Sequence, residues 1–153
     1  MDKTDSNILS LLQENARITN AEIARQIGMV PSGVQERIRK LEEKGYISDY
    51  ATHLSSDLLD LGLLAFIFVR TSETPGEIET AKKLAEFPEI LEIHHVAGED
   101  CYLLKVRLAD NKALASFMRE KFRAMPEIKS TNSVIVLETV KETCKLNLPE
   151  SEE

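Results

Sequence analysis

The chain has 153 residues, 42% of them hydrophobic, and its 19 lysine and arginine against 26 aspartate and glutamate residues give a net charge of −7. This size allows one domain or two small ones with a hydrophobic core. No apolar run reaches the roughly 20 residues of a membrane span. The acidic N-terminus also lacks the apolar region of a signal peptide, so we predict a cytoplasmic protein.

The two cysteines, Cys101 and Cys144, lie far apart in the sequence, which predicts free thiols in a cytoplasmic protein. His94 and His95 are adjacent, so in a strand they would point to opposite faces and could not bind the same ion. A metal site formed by His94, Cys101 and Cys144 is left as an alternative. The sequence otherwise predicts neither a metal nor a cofactor.

Two helices are predicted at the start of the chain. The first begins at Thr4 or Asp5 and ends near Asn15. The second follows Thr19, which has the capping-box spacing to Glu22. Each of these side chains would then accept a hydrogen bond from an otherwise unpaired backbone N–H at the helix start.

A third predicted helix carries the functional signal. Gly28 ends the helix before it, Pro31 suits a first helical position, and the helix then covers residues 32–44 and closes at Gly45. Its apolar stripe is narrow, and the opposite face is polar. The residues on that face or its flanks, predicted to contact DNA, are Ser32, Gly33, Gln35, Glu36, Arg37, Arg39 and Lys40.

These side chains have the chemistry needed to read a major groove. Gln35 can read adenine edges, Arg39 can read guanine or bind phosphate, and Ser32 can donate to either. The alternative is a helical hairpin whose polar face is merely solvated. The capping residues, glycine turn, proline and glycine stop occur together at these spacings, so a helix-turn-helix is favoured.

The negative net charge does not exclude a nucleic-acid partner, because it is unevenly distributed. Residues 1–47 hold seven basic and seven acidic side chains, whereas residues 48–153 hold twelve and nineteen. Residues 25–40 carry four basic side chains and one acidic one. The N-terminal DNA-binding domain, called the head below, is thus only locally basic, and the rest of the chain is acidic. Because one such head would bind DNA weakly, we predict that several heads act together.

A connection follows the helix-turn-helix. Residues 46–54 alternate loosely between apolar and polar, which predicts a strand or short β-wing, and residues 55–62 lead to a second domain. The predicted limits are 1–50 for the DNA-binding domain, 51–62 for the wing and linker, 63–145 for the second domain and 146–153 for a flexible tail.

The second domain alternates strands and helices, as its apolar runs and helical periodicity indicate. Its β-α-β-β-α-β order is that of the ferredoxin-like fold. The fold class is therefore α+β, with an N-terminal winged helix-turn-helix and a C-terminal ferredoxin-like domain. The predicted elements are strand 63–70, helix 76–87, strands 90–96 and 102–108, a helix from Asp110 to near Pro126, and strand 131–140.

The two helices of such a domain cover only one face of its sheet. An uncovered apolar face is usually an interface, and two sheets face to face would form a dimer that presents two heads to two half-sites. The residues predicted to occupy that face are Phe66, Phe68, His95, Tyr102, Val134 and Val136.

With these elements in place, the sequence resembles the Lrp/AsnC family, the feast/famine transcription regulators. The resemblance implies a sequence-specific DNA-binding regulator that forms homodimers and, from these, octamers on promoter DNA. It also implies an amino-acid effector bound by the second domain, which would be the effector-binding and oligomerisation domain. The segments that carry the resemblance are DKTDSNILSLLQENARITNAEIARQIG, VQERIRKLEEKGYI, HHVAGEDCYLLKV and STNSVIVLETVK.

The resemblance places the effector near one turn of the second domain, although a glycine-requiring hairpin turn is the alternative interpretation of these residues. Two positions depart from the family pattern: Val30 stands where a serine N-cap is common, and Cys101 where an acidic residue is common. A thiol cannot pair with an ammonium group, which predicts weak amino-acid binding. The candidate effector residues are Ala97, Gly98, Glu99, Asp100, Cys101, Tyr102, Asn132 and Ser133.

Two rival functions are considered. One is an amino-acid sensor that acts through protein partners without binding DNA. The other is an enzyme similar to the siroheme decarboxylases, for which His94 and His95 are the suggestive residues. The sequence shows no Gly-rich phosphate loop, no paired catalytic carboxylates, no nucleophile with a base at known spacing and no tryptophan, so we predict a regulator that is not an enzyme.

Overall fold

The structure is a computed structural model that describes residues 1–74, 76–98 and 102–149. The chain forms two compact units. The first comprises Met1–His53 together with the C-terminal segment from Glu142, and the second comprises Leu54–Lys141. Within the described ranges, no helix combines the length and apolarity required to cross a membrane.

Three helices form the first unit: α1 (Lys3–Glu14), α2 (Asn20–Ile27) and α3 (Pro31–Glu43). Each contributes an apolar face to one core, as amphipathic helices of this length require. The buried members of that core are Ile8, Leu9, Ile23, Ala24, Val34 and Leu41.

The helix ends differ from the predictions in two places. Helix α1 starts earlier than Thr4 or Asp5, because the Asp2 carboxylate accepts from Asp5 N at 2.8 Å and caps the helix. Thr19 caps α2 by accepting from Glu22 N at 3.2 Å. The Glu22 carboxylate binds Arg25 and Gln26 instead, so the second half of the predicted capping box is not formed.

The turns around α3 follow the sequence prediction. Gly28 and Gly45 have φ values of 70° and 75°, a conformation that disfavours residues with a Cβ. Val30 occupies the N-cap of α3, makes no side-chain capping bond and is 65% exposed. The capping hydrogen bond that a serine would make at this position is therefore lost.

The strand or β-wing predicted between Tyr46 and Leu54 is not present in the single chain. That segment is irregular, and the connection contains only one turn of 3₁₀ helix at Asp57–Leu59. A strand needs a hydrogen-bonded neighbour, and no described strand pairs with this segment. The connection also leaves Leu54 and Leu58 exposed at 72% and 86%.

The second unit is a four-stranded antiparallel sheet in the order β2-β3-β1-β4. The β-α-β-β-α-β order predicted from the sequence is confirmed. One face packs against the helices, and its core includes Ile67, Leu104 and Phe117. The elements are β1 (Leu63–Thr71), α4 (Glu79–Leu84), β2 (Ile90–His95), β3 (Tyr102–Leu108), α5 (Asn111–Lys121), a 3₁₀ turn (Phe122–Ala124) and β4 (Ile128–Ile135).

The C-terminal segment belongs to the first unit. Part of the predicted flexible tail contacts helix α1: Leu146 is hydrogen-bonded to Gln13, and Leu148 packs against the core of the three helices. Sequence periodicity does not reveal such a contact, because the segment is too short and too polar to display a pattern.

Candidate DNA-reading face and effector site

The polar face of α3 is exposed along most of its length. Five of the seven predicted DNA-contacting side chains are exposed, namely Ser32, Gln35, Glu36, Arg39 and Lys40, whereas Gly33 and Arg37 are partly buried. At Gly33, an added Cβ would lie 3.1 Å from the methyl of Met29. That methyl is the end of a flexible side chain that can move aside, so packing alone does not require a glycine here.

Arg39 is held by two carboxylates of its own helix. It donates to Glu36 through Nη2 at 2.7 Å and Nε at 3.0 Å, and it also contacts Glu43. The bond from Arg39 lowers the pKa of Glu36 to about 2. All three side chains are about half exposed. Exchanging such exposed partners for a DNA phosphate or base costs little, so Arg39 is available to a ligand.

Arg37 forms ion pairs with the first helix. Its Nη1 donates to Asp5 at 2.7 Å and to Asp2 at 2.8 Å, and these two acids raise the pKa of the guanidinium. Arg37 therefore fastens α3 to α1, and a DNA contact by this residue stays a prediction. The sequence could not reveal this pairing, since the partners lie more than thirty residues away.

The turn predicted to bind an effector is described only in part. Glu99, Asp100 and Cys101 lie outside the described residues. Gly98 has a φ of 136°, where a side chain would be strained, and both Ala97 and Gly98 are exposed. The glycine is thus required by the turn whether or not a ligand binds there.

Tyr102 does not lie on the uncovered sheet face, contrary to the prediction. It is 2% exposed and belongs to the core with Leu104 and Val106. Its hydroxyl donates to the Glu73 carboxylate and to the Glu77 carbonyl, both at 3.2 Å. The period-two alternation of β3 contained this information, since Tyr102 is in phase with Leu104 and out of phase with Lys105.

His95 also lies on the helix-covered side. It pairs with Tyr102 across β2 and β3, and the two rings have centroids 5.3 Å apart. Residues directly opposite in an antiparallel pair share a face, so His95 is removed from the predicted open face. Its side chain is nevertheless exposed, and its ring contacts the ring of Tyr102.

Glu73 is a structural residue that the sequence prediction missed. Besides binding Tyr102, its carboxylate accepts from Thr80 N at 2.6 Å, which satisfies an amide at the start of α4. The Thr80 side chain is fully buried, and its hydroxyl has no hydrogen-bond partner among the described residues. Glu73 thereby links α4 to the first residue of β3, directly after the predicted effector turn. Its loop-like surroundings offered no sequence signal.

Asn132 and Ser133, the remaining effector candidates, are exposed on β4. Asn132 pairs with Phe68 and Ser133 with Ile67. Because neighbouring strand residues point to opposite faces, Asn132 lies on the open face and Ser133 on the helix-covered side. The two side chains cannot both approach one ligand on one face of the sheet.

The open face is partly apolar and partly charged. Phe66 pairs with Val134 and, on the other side, with Lys105. The predicted positions of Phe66, Phe68 and Val134 on this face follow from that register, whereas Val136 lies just beyond the end of β4. Toward the β2 edge, Glu92 accepts from Lys105 at 3.0 Å and contacts His94 at 3.1 Å, and both partners lower its pKa, His94 more than Lys105.

Metal chemistry finds no support among the described residues. No group of three or more His, Cys, Asp or Glu side chains in them is arranged to hold an ion. Cys144 is an exposed free thiol, and Cys101 lies outside the described ranges.

Comparisons with known proteins agree with both units. Residues 1–48 match the family model for winged helix-turn-helix DNA-binding domains, and residues 64–146 match that for the Lrp/AsnC ligand binding domain. The leucine-responsive regulatory protein of Escherichia coli K12 is 32% identical over 148 residues, which cover 95% of this chain and 90% of that protein.

Two solved structures, each with L-methionine, are also similar. A transcriptional regulator of Neisseria meningitidis superposes with a TM-score of 0.90 at 33% identity, over 96% of both chains. A feast or famine regulatory protein of M. tuberculosis gives 0.88 at 27% identity, over 97% of this chain and 99% of that one.

Proposed function

This chain belongs to the Lrp/AsnC family of DNA-binding transcriptional regulators, and from that premise we propose that α3 reads promoter DNA under the control of an amino acid bound by the second unit. The observation that carries the proposal is the exposed, cation-bearing face of α3, a helix that Arg37 ties to Asp2 and Asp5 of the first helix. The family consists of regulators, so the enzyme alternative is set aside.

The proposed reading residues are Ser32, Gly33, Gln35, Glu36, Arg39 and Lys40. Arg37 is left out because its guanidinium is bound by α1. Arg39 and Lys40 share Glu36 as an ion-pair partner, at 2.7 and 3.4 Å. A DNA phosphate or base edge that displaces the Glu36 carboxylate would contact both Arg39 and Lys40. Binding would therefore be salt-dependent and weak for one head.

The proposed effector is an amino acid. Support comes from the L-methionine complexes of the two similar regulators. The proposed site is the turn of residues 97–102 with Asn132 or Ser133. Within it, Tyr102 acts as a support, because its hydroxyl already donates to Glu73 and Glu77, and the turn residues before it would meet the ligand.

The proposed assembly is a homodimer that associates into an octamer in the cytoplasm. Support for the dimer comes from the open sheet face, where Phe66 and Phe68 are only half-buried in the single chain, and from the exposed leucines at Leu54 and Leu58. Covering such side chains is favourable in proportion to the apolar area removed from water. A dimer would also supply the second head that a weak binder needs.

Two experiments test the central claim, one on DNA binding and one on the effector. Gel shift with the chain's own upstream DNA should show binding that weakens steeply between low and moderate salt, and a thermal-shift screen against the twenty amino acids should identify the effector. Absence of specific DNA binding together with a response to an amino acid would favour the sensor that works through protein partners.

A further inference from the structure

The C-terminal segment is held on α1 by a small set of specific contacts. The Gln13 amide binds both backbone groups of Leu146: its Nε2 donates to the carbonyl at 3.1 Å, and its Oε1 accepts from the N–H at 2.7 Å. Lys145 pairs with Glu14 at 2.7 Å. Leu148 packs against the core of the three helices. The Gln13 amide thus pairs with both backbone groups of Leu146, as the backbone of a neighbouring strand would.

This segment joins the two units a second time. The chain leaves the first unit after His53 and returns to it at Glu142, so the second unit is connected to the head at both of its ends. The segment continues from β4, which carries Asn132 and Ser133, the proposed effector residues. A head held by one linker could reorient freely, whereas a second docked connection limits its motion.

Helix α1 also connects this segment to the reading helix. Gln13 and Glu14 lie in its last turn, and Asp2 and Asp5, at its start, hold Arg37 of α3. One helix therefore binds the returning chain at one end and fastens α3 at the other. Docking or release of the segment therefore changes the contacts of α1, the helix to which α3 is fastened.

The docking is weak enough to be reversible. It consists of two neutral hydrogen bonds, one ion pair with both partners at least half exposed and one partly buried leucine, while Leu146 keeps 75% of its surface exposed. Contacts of these kinds each contribute little in water. Opening of such a segment falls at the low end of local stabilities in a protein.

We propose that residues 142–148 form a releasable strap that docks on α1 through Gln13 and restrains the DNA-reading head. The strap is a device for regulation and rests on the proposed function, because its effect on DNA requires that the head reads DNA. With the strap docked, the motion of the head is restricted, so less conformational freedom is lost when it binds DNA. With it released, each head moves freely and DNA affinity falls.

The first test measures docking and does not involve DNA. Trypsin cleaves after Lys145, and only a released strap can enter the protease, so the cleavage rate reports the released population. In the full chain, Gln13→Ala should raise that rate about tenfold through the two lost hydrogen bonds. Asn7→Ala removes an exposed amide from the same helix and should leave the rate unchanged. Equal rates for Gln13→Ala and wild type would overturn the docking.

The second test measures the consequence for DNA. On the chain's own upstream fragment, Gln13→Ala should weaken binding about three- to tenfold, and Asn7→Ala should not. Faster cleavage with unchanged DNA affinity would overturn the restraint. Loss of DNA binding in the wild type would overturn the proposed function, and the trypsin rates would still decide the docking.

A milder variant covers the case in which Gln13→Ala does not fold, as judged by circular dichroism. Glu14→Gln breaks only the exposed ion pair with Lys145. It should change both readouts in the same direction by about twofold. An unchanged cleavage rate in this folded variant would then overturn the strap.

Discussion

Arg37 of the reading helix is bound to Asp5 of the first helix, with Nη1 2.7 Å from the carboxylate. Asp5 keeps only 20% of its side chain exposed and Arg37 33%, so this ion pair is better shielded than the others on α3. It links α1 and α3, which both contribute apolar side chains to the core of the first unit. The remaining cations of α3 are left for a ligand.

Loss of this pairing should destabilise the head. Arg37→Met keeps the aliphatic stem and removes the guanidinium, so we expect the free energy of unfolding to fall by about 1 kcal/mol, measured by urea denaturation. Arg25→Met, which removes an exposed pairing within α2, is the matched control and should change it less. If the two variants were equally stable, Arg37 would have no fastening role.

Arg39 should contribute to DNA binding and not to folding. Arg39→Ala should weaken binding to the upstream fragment about five- to a hundredfold at fixed salt, if the guanidinium meets a base or phosphate. Arg119→Ala removes the same charge from an exposed position of α5 and should have no effect. Gel shift in parallel titrations decides between them, and an unchanged Kd for Arg39→Ala would remove Arg39 from the reading face.

Tyr102 should act through its hydroxyl as a structural support. Tyr102→Phe leaves the Glu73 carboxylate and the Glu77 carbonyl without this donor in a buried site, which should cost about 1 kcal/mol of stability. Tyr50→Phe also removes a hydroxyl bonded to a carboxylate, that of Glu42, but Tyr50 is 50% exposed, so a smaller loss is expected. Equal chemical-denaturation midpoints for Tyr102→Phe and wild type would contradict the prediction.

The open sheet face should be needed for assembly. Phe68→Asp places a charge on that face, and we expect the dimer to dissociate because a buried unpaired carboxylate is costly. Leu91→Asp introduces the same charge in the groove between α4 and β2 and should leave assembly intact. Sedimentation at micromolar concentration is the measurement, and a wild-type species at the 17.2 kDa of one chain would show that this face is no interface.

Cys101 should limit the binding of free amino acids. A carboxylate at this position would pair with the ammonium group, and charge-assisted hydrogen bonds are roughly twice as strong as neutral ones. Cys101→Asp is therefore expected to strengthen the binding of at least one amino acid, measured by calorimetry. Cys101→Ser, a substitution without charge, is the control and should not. Tight binding by the wild type that Cys101→Asp leaves unchanged would refute this explanation.

Local patterns in the sequence were sufficient to predict most of the elements. The glycines at 28 and 45, the proline at 31 and the apolar stripe of α3 each act within one or two helical turns, so the helix-turn-helix could be read directly. The order of strands and helices in the second unit was equally accessible, because period two and period 3.6 are local properties of the chain.

Only the tertiary structure decided which side chains meet across the sequence. Arg37 was predicted on the reading face because its position on a helical projection is polar, yet two acids of α1 hold it. The alternation of β3 could have placed Tyr102 in the core, but its hydroxyl partners, Glu73 and Glu77, lie 29 and 25 residues earlier in the chain. The contact of Gln13 with Leu146 joins residues 133 positions apart. Such pairings depend on how elements pack, and packing is a property of the folded chain that no local periodicity contains.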